Sequence, residues 1–120
     1  MNPDTRRRRH EIIRVQRMCF LGEQDGPPER DLKNKLVGLF DRLRMVRTAY
    51  LARLTYGDEG PVGVALCVHG QSGQNRMFAE QVGEVFGSIF GSHEHLDIIW
   101  LMPEQETELA RVCRPFFKID

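Results

Sequence analysis

No stretch of this chain approaches the roughly 18 uninterrupted apolar residues of a membrane helix. Its amino terminus, MNPDTRRRRH, is basic, yet no long apolar run ending at small residues follows it. Both absences point to a soluble protein with neither signal nor anchor. Cysteine is scarce: Cys19, Cys67 and Cys113 are odd in number, sit inside apolar runs, and match neither a disulfide framework nor a CxxC pair. Reduced, buried thiols in a cytoplasmic protein are the expectation. An excess of one charge is also absent, because 17 Lys and Arg balance 17 Asp and Glu, which removes any global field for polyanions. The one concentration of charge is Arg6 to Arg9. Reaction motifs are missing as well. Gly70-Gln-Ser-Gly-Gln-Asn has the glycines of a phosphate loop without Walker spacing or its Lys, so a turn that caps a helix explains it better.

What is present is an alternation of apolar patterns. At 120 residues the chain suits one domain. Residues 1–10 are polar and aperiodic and read as a flexible basic arm, leaving 11–120 as the domain. Glu11 to Leu21 alternates as a strand, with Ile13, Val15, Cys19 and Leu21 on one side and Arg14, Gln16, Met18 and Phe20 on the other. Gly22 to Pro28 is loop chemistry. Leu32, Leu36, Leu39, Phe40 and Leu43 then make a helical stripe, with Arg30, Lys33, Lys35 and Arg42 facing water. Thr48 to Tyr56 and Val62 to Val68 alternate with period two across a short Gly-rich turn and predict an antiparallel hairpin.

Phe78, Val82, Val85, Phe86 and Ile89 form a second helical stripe, closed by Gly91. Gly83 and Gly87 share one side of it, where small residues would let a neighbouring element approach closely. Leu96 to Met102 is apolar on both faces except at Asp97, the pattern of a strand near the middle of a sheet. Pro103 to about Val112 reads as a final short helix, and Arg114-Pro-Phe-Phe as an extended tail. The order β-α-β-β-α-β predicts an α+β, ferredoxin-like split β-α-β-β-α-β sandwich. Its four-stranded, mainly antiparallel sheet would carry helices on one face, with a short C-terminal helix added.

Several fragments carry a resemblance: Leu21-Gly-Glu before Pro28, Val46-Arg-Thr-Ala-Tyr-Leu-Ala, the strand Val62 to Val68, His95-Leu-Asp-Ile, and Arg114-Pro-Phe-Phe. Together, over roughly 12–117, they resemble the carboxy-terminal domain of SseB-like proteins, the enhanced serine sensitivity family. The most specific part is Ala49-Tyr-Leu-Ala combined with Pro115-Phe-Phe. Longer members of that family add an amino-terminal domain, for which this chain has no room. The resemblance implies a fold and supplies no catalytic residues.

The candidate chemistry is sparse. His93, Glu94, His95 and Asp97, with His69, are the nearest thing to a metal cluster, but a turn leading into a strand does not preform a site, and a polar loop is the better reading. Cys67 lies two residues before His69 on one strand face, yet its apolar neighbours describe a packed thiol rather than a nucleophile. The split β-α-β architecture also serves RNA recognition, but Pro61 to Val68 lacks the stacking aromatics, which argues against nucleic acid. No catalytic residue, metal or cofactor is assigned.

The remaining feature is the sheet face opposite the helices. If Val62, Val64, Leu66 and Val68 face the helices, then Gly63, Ala65, Cys67 and His69 face away, beside Arg14, Gln16, Met18, Leu51, Arg53 and Ile99. A one-layer sheet leaves such a face to a partner, a copy or a ligand. The expectation is therefore a non-enzymatic interaction or regulatory module. It would self-associate or take a protein partner through Arg14, Met18, Leu51, Arg53 and His69. The alternative is a small-metabolite, amino-acid sensing domain, by analogy with ferredoxin-like domains that bind amino acids.

Overall fold

Consecutive prolines at 27 and 28 open a helix instead of merely ending a loop. In the computed structural model, which describes residues 18–57, 60–70, 76–91 and 94–119, helix α1 spans Pro27–Leu43. Proline suits that position because its fixed φ is helical and the N–H it lacks would have no intrahelical acceptor there. Arg44 ends the helix in the left-handed conformation, its N–H donating to the Phe40 carbonyl. Leu32, Leu36, Leu39 and Phe40 are buried along one face, as their spacing requires.

Lys33, expected to face water, does not. It is only 8% exposed, and its Nζ donates to Glu23 Oε2 at 2.8 Å and to Asp25 Oδ1 at 3.3 Å. A buried ammonium requires such acceptors. The hydrogen bond from Lys33 outweighs partial burial and holds the Glu23 carboxyl below its usual range.

Strands β1 (Met18–Glu23), β2 (Val46–Tyr56), β3 (Val62–Gly70) and β4 (Asp97–Trp100) follow one another across the sheet, and β5 (Phe117–Lys118) also pairs with β2. Helix α2 (Arg76–Phe90) joins β3 to β4, and α3 (Pro103–Ala110) follows β4. β1, β3 and β5 are antiparallel to β2, whereas β4 runs parallel to β3. The fold is α+β with a mixed, mainly antiparallel sheet and three helices, compatible with a ferredoxin-like sandwich. The basic arm, the part of the first strand before Met18, and loop residues 71–75 lie outside the described residues.

Within that class the strands keep sequence order, and the first connection explains why. Glu23 stands opposite Ala52, six residues or about 20 Å along β2 from Val46. The 17 residues of α1, about 25 Å, cover that distance in the direction β1 already runs. β2 therefore returns antiparallel beside β1. In a split β-α-β unit the helix runs back instead, leaving room for a strand between the two it joins. β5 occupies the length of the β2 edge that β1 leaves free, at Thr48 and Ala49. The expected extended tail is thereby part of the sheet: Phe116 N–H donates to Ala49 O and Ile119 N–H to Arg47 O, each at 2.9 Å.

Alternation along β2 and β3 sorts side chains into two cores. Ala49, Leu51, Leu66 and Val68 pack with Leu36, Phe40, Phe78 and Val82 under α1 and α2. Tyr50, Ala52, Leu54, Ala65 and Cys67 pack on the other side with Leu101, Leu109 and Cys113. The face expected to be open is thus roofed by α3 and the residues after it. β4 is also displaced from expectation: it is an edge strand. It is apolar on both sides because Ile98 and Trp100 pack toward α1 and α2, while Ile99 packs toward α3. Gly70 marks a close approach, since a Cβ there would overlap the Met45 carbonyl oxygen.

Leu109 is fully buried and fastens α3 to the sheet. Leu109→Ala is expected to lower unfolding free energy by about 2–5 kcal/mol in urea titration and to increase binding of an apolar-surface dye. Unchanged stability would show that α3 is not a structural roof.

Candidate functional site

Two tyrosines tie the roof and the β4 edge to the sheet. Tyr50 OH donates to Glu106 Oε2 at 3.1 Å, and the other Glu106 oxygen lies 3.5 Å from His69 Nδ1. Tyr56 OH donates to Asp97 Oδ2 at 2.8 Å, while Asp97 Oδ1 lies 2.5 Å from His95 Nε2. Burial first, then the adjacent carboxylate, raises both phenols above their usual range, Tyr50 to about 12. They are therefore hydrogen-bond donors at neutral pH. Both oxygens of Asp97 are engaged.

Of the five residues expected to form one partner-binding face, the four that are described do not meet. Arg14 lies outside the described residues. Leu51 is 1% exposed and faces α1 and α2. Leu51 is on the face of β2 opposite to the one expected, because Ala49 and Leu51 are as apolar as Ala52 and Leu54 and alternation alone does not orient the strand. Arg53 is exposed on the same side as Leu51, with its guanidinium beside Gly22. Met18 and His69 do lie on the α3 side, but at opposite ends. Met18 pairs with Tyr56 and His69 with Thr48, about 27 Å apart along β2. His69 is occupied by Glu106.

The other candidates also resolve into structure. Cys67 is buried, and burial pushes its thiol up to about 12; Cys113 rises to about 11 for the same first reason. Cys113 Sγ lies 3.6 Å from the Leu51 carbonyl oxygen. Such thiols are packing groups. Cys19, expected to be buried, is exposed. His93 lies outside the described residues, and among the described residues no three His, Cys, Asp or Glu side chains are grouped to hold a metal ion.

Two of the concave surfaces bear on function. One, of about 270 Å³, lies between β1 and α3 and is lined by Met18, Cys19, Phe20, Glu108, Arg111 and Val112 with Gly57. The other, of about 240 Å³, is a trough between α2 and β4 that also takes in the polar side chains of Glu94 and His95. Ala79, Val82, Gly83, Phe86 and Gly87 form its helical wall, and Leu96 and Ile98 its strand wall. A Cβ at Gly83 or Gly87 would meet nothing within 4 Å. The glycine pair, read from sequence as a close-packing contact, instead lowers one wall of this trough. That pair was the available signal; the edge position of β4 was not legible. No family model, no curated protein and no solved structure matches the chain.

Thiol labelling separates the three cysteines. Cys19 is expected to react promptly in the native protein, and Cys67 and Cys113 at least about a hundredfold more slowly, becoming equal only in denaturant. Rapid native labelling of Cys67 would contradict its packed, protonated state.

Proposed function

We propose that this chain is a non-enzymatic protein-interaction or regulatory module that takes an extended segment of a protein partner along the free edge of β4. The observation that carries this reading is a sheet edge that pairs with no further strand among the described residues and lies against the trough beside α2. Leu101 N–H donates to Val68 O at 2.8 Å, so by alternation the N–H and C=O groups of Ile98 and Trp100 point away from β3. Edge strands are commonly shielded by Lys, Pro or a bulge. β1 has a bulge between Phe20 and Gly22, whereas residues 97–102 carry no Lys, no Pro and one charge, Asp97. An added strand would complete the ladder while its alternate side chains fill the trough. The raised, buried thiols support a role without nucleophilic catalysis.

Kinship with the SseB carboxy-terminal domain belongs to the same proposal. It is supported by the way its two most specific fragments lie together, Phe117 pairing with Ala49. A cytoplasmic setting is supported by three free cysteines.

A second reading, a small amino-acid sensor, is favoured by one observation: Arg111 and Glu108 both line the cavity between β1 and α3. An opposite-charge pair on an apolar floor suits a zwitterion.

Displayed random peptides test the first reading. Recovered binders should be extended and apolar and should lose about tenfold or more in affinity for Gly83→Glu, which fills the trough. An empty selection, or binders indifferent to that substitution, would remove it. For the second reading, a panel of amino acids should raise Tm in a dose-dependent way that Arg111→Ala abolishes; a flat response across the panel would end it.

A further inference from the structure

Resting on the strand-acceptor reading, we propose that the segment received at β4 is the β4 edge of a second copy, giving a two-fold dimer with one continuous sheet. Three features of the edge converge on this occupant.

The first is register. In an antiparallel pair, opposed residues share a sheet face, so a two-fold axis must pass through a residue rather than between residues. An axis at Asp97 would set two carboxylates against each other. An axis at Ile98 places Ile98 against its own copy and Leu96 against Trp100. Ile98 and Trp100 are the residues whose N–H and C=O groups point outward, so the two Ile98 residues would exchange both hydrogen bonds. Leu96, Ile98 and Trp100 all pack on the α2 side, and apolar cross-strand pairs of this kind stabilise a sheet.

The second is the spacing of the helices. Val82 and Gly83 line the trough with Ile98, so an axis through Ile98 also passes beside Gly83. A helix about 10 Å across covers two strands about 4.8 Å apart. Two α2 helices over a continuous sheet would therefore lie about 10 Å apart, the distance at which helices pack. Ala79, Gly83 and Gly87 are the positions that would face each other there, and the open space at both glycines leaves the approach unobstructed.

The third is charge. The Phe78 and Trp100 rings lie 5.2 Å apart, which sets the start of α2 beside the end of β4. Arg76, two residues or about 3 Å further toward the start of the helix, then lies between the levels of Trp100 and Met102. An axis at Ile98 brings Glu94 of the second copy opposite Met102. Arg76 and Glu94 are both exposed, and neither makes an ion pair among the described residues. Across the two-fold they would pair at both ends of the seam. An axis at Ile99 would shift Glu94 two residues away and lose this match.

The 15 residues of α2 make a face about 22 Å long. Together with a four-residue edge, it buries on the order of 500 Å² per copy, the size of a weak, concentration-dependent interface.

Light scattering and sedimentation across a concentration series provide the test. Wild type should double in mass as concentration rises. Gly83→Glu should remain monomeric with unchanged circular dichroism, because its Cβ meets no neighbour. Gly83→Ala should retain the dimer. Arg76→Glu should weaken association about tenfold, and adding Glu94→Arg should restore it. A dimer unaffected by Gly83→Glu, or charge reversal without rescue, overturns this geometry. A monomer at every concentration overturns the second copy as occupant. In that event, Gly83-dependent binding of displayed peptides would leave the strand-acceptor reading standing, and its absence would remove both.

Discussion

β2 is the strand on which the rest of the molecule depends. It pairs with β3 along one edge and shares its other edge between β1 and β5, so three segments of the chain converge on one backbone. Its alternate residues also divide the interior: Ala49 and Leu51 face α1 and α2, while Tyr50, Ala52 and Leu54 face α3. A strand buried on both sides and bonded on both edges has little freedom to slip, because a one-residue shift would exchange the two cores. The molecule is consequently a three-layer arrangement around one sheet, with the carboxy-terminal layer the thinnest.

That third layer is held by few contacts. Leu109 and Cys113 supply its apolar base, and Glu106 anchors it through Tyr50 and His69. The chemistry that looked reactive in isolation is absorbed into this joint. His69 and Asp97 are engaged with neighbours, Cys67 is sealed beneath α3, and both tyrosine hydroxyls donate to carboxylates.

Attention shifts from the sheet face to the sheet edge. Covering both faces leaves the margins as the places where, among the described residues, backbone groups have no strand partner, and the two margins differ. β1 is bulged, whereas β4 is short, regular and bordered by a helix whose glycines leave space beside it. Shape, hydrogen-bonding direction and charge at β4 are set by neighbouring elements and support one reading, an edge suited to receiving another strand.

The sequence by itself determined the element types, because periodicity near 3.6 or 2 is a local property. The stripe Leu32, Leu36, Leu39 and Phe40, the hairpin of β2 and β3, and the Gly91 stop are all visible in it. Of Val62, Val64, Leu66 and Val68, placed conditionally on the helix side, the last three pack there and Val62 is exposed. Only the tertiary structure decided which strand lies at the edge, which side of β2 meets which helix, and where α3 comes to rest. A strand apolar on both faces reads the same in the middle of a sheet as at an edge sandwiched between helices, which is why β4 was misplaced. Leu51 and Ala52 are both apolar, so parity alone could not orient β2. Lys33 reads as a surface residue until Glu23 and Asp25 are brought beside it. Each of these depends on contacts between residues distant in the chain, which local pattern does not encode.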